Sequence, residues 1–432
     1  MLQLLLMTCC VTSCSEAAAP SPAEPTAPAA NDGTPSPADS SGIDGGTTND
    51  AATKPTFEWP NAASKATSDQ WIVEHHDAIT KMRPKVIAIN LDNDPKTRSN
   101  FKNHVTQLIA ALKEGSRLHG YDDPKAEPFL EYEVSKWIDL ADDTPPAGWT
   151  HKYSTKVPVA CVKDDAWYDA DYSRLFDPTW AGVDVCDAFA KGDAHEVWLH
   201  MNGDEDPYEC PDGTKRQPGF AEILESKPIR DAKGIAKPGV FERCAGNGCL
   251  GSRDFAAFKA CGRTVRVLYI NSTRGPGCAL HSAGHGYEWM ARSEATGPAL
   301  WSKFEKFGNF DLDKRFATPF RDWYACDSPD CITFTGPNSL TWKVGSDTGS
   351  IAAFAGGCGN VHFAPNARAH YDENDTEVMS SCASFDDPNG QPRMFSRKSY
   401  AQYEPLAPDC GGAWQVYWRQ SFAKKWWPYL FY

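Results

Sequence analysis

Two periods of apolar residues take turns along the first half of the chain. Lys85-Val-Ile-Ala-Ile-Asn-Leu91 is a short unbroken apolar run, the pattern of a strand covered on both faces. Phe101, Val105, Leu108, Ile109 and Leu112 then recur at helical spacing. Residues 128–134 alternate and predict a strand, residues 183–191 a helix, and His195-Glu-Val-Trp-Leu-His200 and residues 263–270 two further strands. Alternation of strands and helices over this length predicts an α/β layered core with a largely parallel sheet. Ligands in such folds sit beyond the carboxyl ends of strands, where loops enter the next helix.

From residue 297 onward the pattern changes. Trp, Phe, Pro, Asp and Cys become dense and no period holds. This predicts a disulfide-rich, loop-rich C-terminal half packed on the α/β core. Near its end Trp414, Trp418 and Phe422 recur every fourth residue beside Tyr417, which predicts one amphipathic helix docked by its aromatic face.

Before the first strand the composition divides the chain. Leu2 to Val11 is apolar but too short to span a bilayer, so it reads as a signal. Residues 15–56 are mostly Ala, Pro, Ser, Thr, Gly and Asp and cannot bury enough apolar surface to offset ordering entropy. The expected organisation is a signal over 1–14, a disordered tether over 15–56 and one large α/β domain with a disulfide-rich extension over 57–432. No later stretch is apolar enough for a transmembrane helix. Val11-Thr12-Ser13-Cys14 resembles the lipobox of bacterial lipoproteins, although no Lys or Arg precedes the apolar run. That resemblance implies a lipid on Cys14 and a membrane anchor at the cell envelope, outside the cytoplasm, on the outer membrane or cell surface.

Twelve cysteines follow the tether: Cys161, Cys186, Cys210, Cys244, Cys249, Cys261, Cys278, Cys326, Cys331, Cys358, Cys382 and Cys410. An even number in an exported chain predicts up to six disulfides. A thiolate zinc site on Cys244-x4-Cys249 and Cys326-x4-Cys331 is the rival reading, disfavoured in an oxidising compartment. Net charge is −14 with no basic stripe, which excludes nucleic acid as the partner.

The densest chemistry is Cys278-Ala-Leu-His281-Ser-Ala-Gly-His285-Gly-Tyr-Glu288. His281, His285 and Glu288 share one helix face, and imidazoles four apart commonly hold a divalent metal. Gly284 and Gly286 each cost a helix interior about 1 kcal/mol, so something must approach the backbone there. Two imidazoles leave zinc at least one ligand short. Glu288 lies about 10 Å along the axis from His281; it suits ligation with His285 alone, or orientation of an imidazole. His362, in Cys358-Gly-Asn-Val-His362-Phe-Ala-Pro-Asn366, is the better third ligand, with His370 and Asp372 weaker candidates.

Ser282 stands where a zincin carries its glutamate, so that peptidase chemistry does not transfer. Glu288 or Glu196 would have to supply a base. Ser282 also sits in a partial nucleophile elbow, but too far past the preceding strand for that turn. His195 and His200 read as structural, and Glu196 in a buried strand needs a partner. The acidic clusters Asp92-Asn-Asp94, Asp204-Glu-Asp206 and Asp372-Glu-Asn-Asp375 lack EF-hand spacing and read as solvated runs.

Glu196-Val-Trp198, the H-S-x-G-H-x-x-E run from His281 to Glu288, the V-H-F-x-P-N run from Val361 to Asn366, and Tyr371-Asp372 with Asn374 together resemble an uncharacterised family of secreted bacterial proteins. The resemblance extends over residues 80–430. It implies a shared fold and a shared site, and brings no activity with it. From the ligand chemistry, the expected function is metal-dependent hydrolysis of extracellular peptide or glycan. His281, His285 and His362 would hold a divalent metal of zinc type, Glu288 would act as base or orienter, and Asn366 and Tyr371 would contact substrate. The alternative is a non-catalytic surface binding protein with a histidine and aromatic pocket.

Overall fold

Val86 and Ala88 face one hydrophobic core, and Ile87 and Ile89 face another, so the first apolar run is a strand buried on both sides. The structure, a computed structural model, describes residues 55–64, 68–92, 94, 96–140, 170–202, 208–209, 213, 215–216, 220–231, 233–292, 298–354, 357–385 and 390–432. The signal with Cys14, the tether up to residue 54, Cys161, Cys210 and the cluster Asp204–Asp206 lie outside the described residues.

In chain order the core elements are β1 (Lys85–Asn90), α1 (Phe101–Gly115), β2 (Glu133–Asp139), α2 (Val185–Ala190), β3 (Glu196–Met201), β4 (Ile223–Arg230), β5 (Ala236–Glu242), α3 (Ser252–Ala260), β6 (Val265–Asn271) and α4 (Pro276–Arg292). The strands form one six-stranded sheet in the order β2-β1-β3-β6-β4-β5. β2, β1, β3 and β6 pair in parallel, whereas β4 and β5 extend the sheet antiparallel. One face carries α1, α4 and a C-terminal helix α6 (Gly412–Gln420); the other carries α2 and α3. The layered, mostly parallel α/β core is as the periodicity predicts.

Three elements depart from expectation. The strand predicted over 128–134 begins only at Glu133. Residues before it form isolated bridges to Met82 and Arg117 and bury Phe129, Leu130 and Tyr132 as a connector. β2 is an edge strand with mostly exposed side chains, so it carries no apolar run.

β4 was hidden by its own composition. Glu225, Ser226 and Lys227 are fully buried inside it, which a core strand avoids unless the charges are paired. The pairing exists. Arg266 on β6 donates to Glu225 and, at 2.9 Å, to Glu196, and Lys227 Nζ donates to the carbonyls of Tyr429 and Tyr432 at 3.0 and 3.2 Å. Burial pushes the Lys227 ammonium down to about 8.

The C-terminal half is more regular than its composition suggests. It holds α5 (Pro298–Phe307) and a three-stranded antiparallel meander of β7 (Ile332–Gly336), β8 (Ser339–Val344) and β9 (Asp347–Ile351). The terminal helix is present, but every residue of α6 is buried and Phe422 lies beyond its end. It is therefore an interior helix, with no solvent face to give it amphipathic docking.

Cystines join Cys186–Cys261, Cys244–Cys249, Cys278–Cys410, Cys326–Cys331 and Cys358–Cys382. Each short Cys-x4-Cys segment closes on itself, which removes the thiolate zinc reading. Such bonds point to an oxidising compartment. Among the described residues no helix is long and apolar enough to cross a membrane.

Candidate metal centre

α4 carries the first two imidazoles through the middle of the molecule. Pro276 opens it, where the missing N–H costs nothing, and Cys278–Cys410 ties its first turn to the segment before α6. Of its residues only Trp289 and Arg292 escape full burial. The two glycines permit this. A Cβ on Gly284 would stand 2.7 Å from Gln415 Oε1 and 2.8 Å from a Val361 methyl, and one on Gly286 would stand 2.7 Å from Ile223 Cδ1. The close approach is made by α6, the His362 loop and β4.

The third imidazole arrives on a loop that α6 holds in place. Trp418, Trp414 and Gln415 donate from their side chains to the successive carbonyls of Gly359, Asn360 and Val361. Asn360 Oδ1 accepts the N–H groups of His362 and Phe363 at 3.0 Å each, an Asx turn that aims the ring. The Cys358–Cys382 bond anchors the loop's start.

The three rings converge. Centroid distances for His281–His285, His281–His362 and His285–His362 are all 5.0 Å, and one ligand nitrogen from each lies within 4.8 Å of the others. His285 Nε2 and His362 Nε2 are 3.2 Å apart. Two donors at about 2.05 Å from a tetrahedral ion are separated by about 3.3 Å, so this pair already has the spacing of neighbouring ligands. Among the described residues no partner meets the buried His281 Nδ1. Burial, then the neighbouring imidazoles, holds His281 and His362 well below the usual histidine range. Neutral rings with open lone pairs are what a metal requires. The group can bind a metal ion.

Behind the His285 and His362 rings, the distal nitrogens are taken. His285 Nδ1 lies 3.1 Å from Glu288 Oε2, and Glu288 also accepts from Tyr324 Oη at 3.0 Å and the Val361 N–H at 3.0 Å. Burial, with Glu288 next in weight, pushes the Tyr324 phenol well above its ordinary range. His362 Nδ1 meets His370 Nδ1 at 2.8 Å. Glu288 and His370 thus stand behind the ligand set, a common way to fix ring tautomer and orientation.

Two groups line the open side. Tyr371 Oη is 3.0 Å from His362 Nε2. Glu222 Oε2 is 3.5 Å from His285 Nε2, with its side chain 35% exposed, and Asn247 Nδ2 donates to that same oxygen at 2.6 Å. Asn247 projects from the small loop that Cys244–Cys249 closes, and its own N–H is bonded to Ile223 O. Sequence reasoning missed Glu222, Asn247 and Tyr324, because none has a motif: Glu222 reaches the centre through strand pairing, Asn247 through a cystine loop, and Tyr324 through the short helical turn Trp323–Ala325.

Other candidates lie elsewhere. Asn366 is buried and gives its amide to Asn374 and Thr376, which shapes the turn that carries Tyr371. Ser282 Oγ donates to Cys278 O inside α4 and sits on no elbow. Glu196 is spent on Tyr132, Trp198 and Arg266. His195 accepts the Lys85 N–H, and His200 bridges Asn90 and His104. Asp92 bonds Thr97, and Asp372 pairs with Arg368.

A comparison of the chain with protein-family models finds no match, and a comparison with curated proteins finds none either.

Proposed function

We propose that this protein is an exported metal-dependent hydrolase, working on extracellular peptide or glycan material and tethered to the cell envelope through a lipid on Cys14. The observation that carries the catalytic part is the convergence of His281, His285 and His362 on one point with a carboxylate, Glu222, at its open edge. An all-imidazole set suits zinc. His281, His285 and His362 would hold a divalent ion, which when bound would supply a Lewis acid to polarise a carbonyl and acidify water.

The chain's own groups do the rest. Glu222, aimed by Asn247, takes the proton of the attacking water, since a partly exposed carboxylate beside the ion is placed for general-base work. Glu288 has its oxygens engaged by His285, Tyr324 and Val361, so its part is to hold the His285 ring. Tyr371 faces substrate from the His362 side, and Asn366 keeps its turn in shape. Export is supported by the cystines among the described residues and by the lipobox-like Val11-Thr12-Ser13-Cys14.

The test is a panel of ester, peptide and glycan substrates assayed with the full chain. Turnover that a chelator abolishes and zinc restores, and that Glu222→Gln loses while still holding the ion, is the expected result. Ligand binding with no turnover of any substrate class would favour the recognition protein instead.

A further inference from the structure

We propose that Tyr371 is itself a donor to the ion, a phenol that closes the centre at rest and yields its place to substrate. This role presupposes the metal centre above.

Tyr371 combines exposure with an inward reach. The residue is 51% exposed, yet its hydroxyl lies 3.0 Å from His362 Nε2, the nitrogen that neighbours His285 Nε2 at 3.2 Å. Its ring rests against His362 and His281, with centroids 4.5 and 5.3 Å away. The backbone is held at φ 59°, a left-handed conformation that is strained for an aromatic residue. Such strain persists where the surroundings over-determine it, often at functional sites.

Those surroundings are visible. The Tyr371 N–H donates to His362 O at 3.0 Å. Asp372 accepts from the Arg368 N–H and guanidinium, and Asn374 bonds back to Asn366 O. The turn is built to set the phenol against His362.

Binding of an ion changes what that phenol can do. An imidazole nitrogen has one lone pair. With the proton of His362 on Nδ1, toward His370, Tyr371 donates to Nε2 as long as no ion is bound. Once Nε2 ligates, that hydrogen bond is lost. The phenol oxygen is already near the roughly 3.3 Å that separates two donors on one tetrahedral ion. Tyr371 therefore exchanges partners: its O–H bond breaks, the proton leaves to solvent along the exposed edge of the ring, and an oxygen–metal bond forms. Because half the residue is exposed, the ring can swing outward and leave the position to substrate.

Copper(II) titrated into the metal-free full chain is the probe. Wild type should bind one ion and develop a visible phenolate-to-copper charge-transfer band, and Tyr371→Phe should bind one ion without the band. A band that persists in Tyr371→Phe, or wild type holding stoichiometric copper with no band, would overturn this role and leave the three-histidine centre standing. Wild type that takes up no copper would overturn both.

Discussion

His285 and His362, 77 residues apart in the chain, bring their Nε2 atoms to 3.2 Å. Two neutral acceptor nitrogens repel at that distance unless a proton or a cation lies between them. The N–H of one neutral ring or a cation bound by both satisfies this pair, and only the cation also engages His281, whose ligand nitrogen lies within reach of the same point. Glu288, behind His285, adds a negative charge on the far side of the same ring.

Replacing Glu288 tests whether ring orientation matters. Glu288→Gln keeps the volume but offers an amide that cannot accept from His285, Tyr324 and Val361 together. Zinc affinity should fall about 10–100-fold, read by competition with a chromophoric chelator, while circular dichroism stays native. Unchanged affinity would deny Glu288 this role.

Gly284→Ala sets two effects against each other. Alanine gains about 1 kcal/mol of helix propensity, but its methyl would stand 2.7 Å from Gln415 Oε1. Gln415 cannot step aside cheaply, because it is buried and bonded to Val361 O and Arg419. Overpacking of this kind costs about 1–3 kcal/mol. The expected outcome in urea unfolding is a net loss of about 1 kcal/mol, and a more stable variant would show that the contact relaxes freely.

The parts of the fold written in clean periods could be read from the chain: β1, β3, β6 and α1 each bury a regular set of apolar residues. β4 could not, because its interior is Glu225-Ser-Lys227 and its solvent is replaced by Arg266 and backbone carbonyls distant in sequence. The metal group was legible because His281 and His285 share a helix face and His362 sits among Cys, Asn and Pro. Glu222 was not. It is adjacent to His285 only because its carbonyl accepts the Tyr269 N–H just before β4 begins, where that strand pairs with β6, a pairing no local pattern announces. The glycines signalled a close approach correctly, though the approaching atoms belong to the chain itself.

Arg266→Met should show how much the buried charge cluster depends on its centre. Removing the guanidinium leaves Glu196 buried without its cation and Glu225 with Lys227 alone, 3.7 Å away. Breaking a buried pair from one side costs about 3–5 kcal/mol. Chemical denaturation should report a loss of that order, and a loss under about 1 kcal/mol would mean the cluster is solvated or rearranges.

Acid should destabilise the protein before its carboxylates titrate. Burial pushes both His195 and His200 down to about 3, while the unfolded chain titrates near 6.5. As pH falls through 6.5 the unfolded state takes up protons that the folded state refuses. The contribution is complete above about pH 6.5 and is lost progressively toward pH 3, at up to about 1.4 kcal/mol per pH unit for each ring. Unfolding free energy measured from pH 7.5 to 5 should decline with that slope, and His200→Asn should flatten it. A flat profile in wild type would show that these rings are protonated in the fold.

Metal content of the purified chain, measured by inductively coupled plasma mass spectrometry after zinc loading and desalting, addresses the three-imidazole centre most directly. Wild type should retain one zinc per chain, and His281→Ala, His285→Ala and His362→Ala should each retain little or none while keeping a native circular dichroism spectrum. Wild type without zinc, or alanine variants that hold as much as wild type, would contradict it.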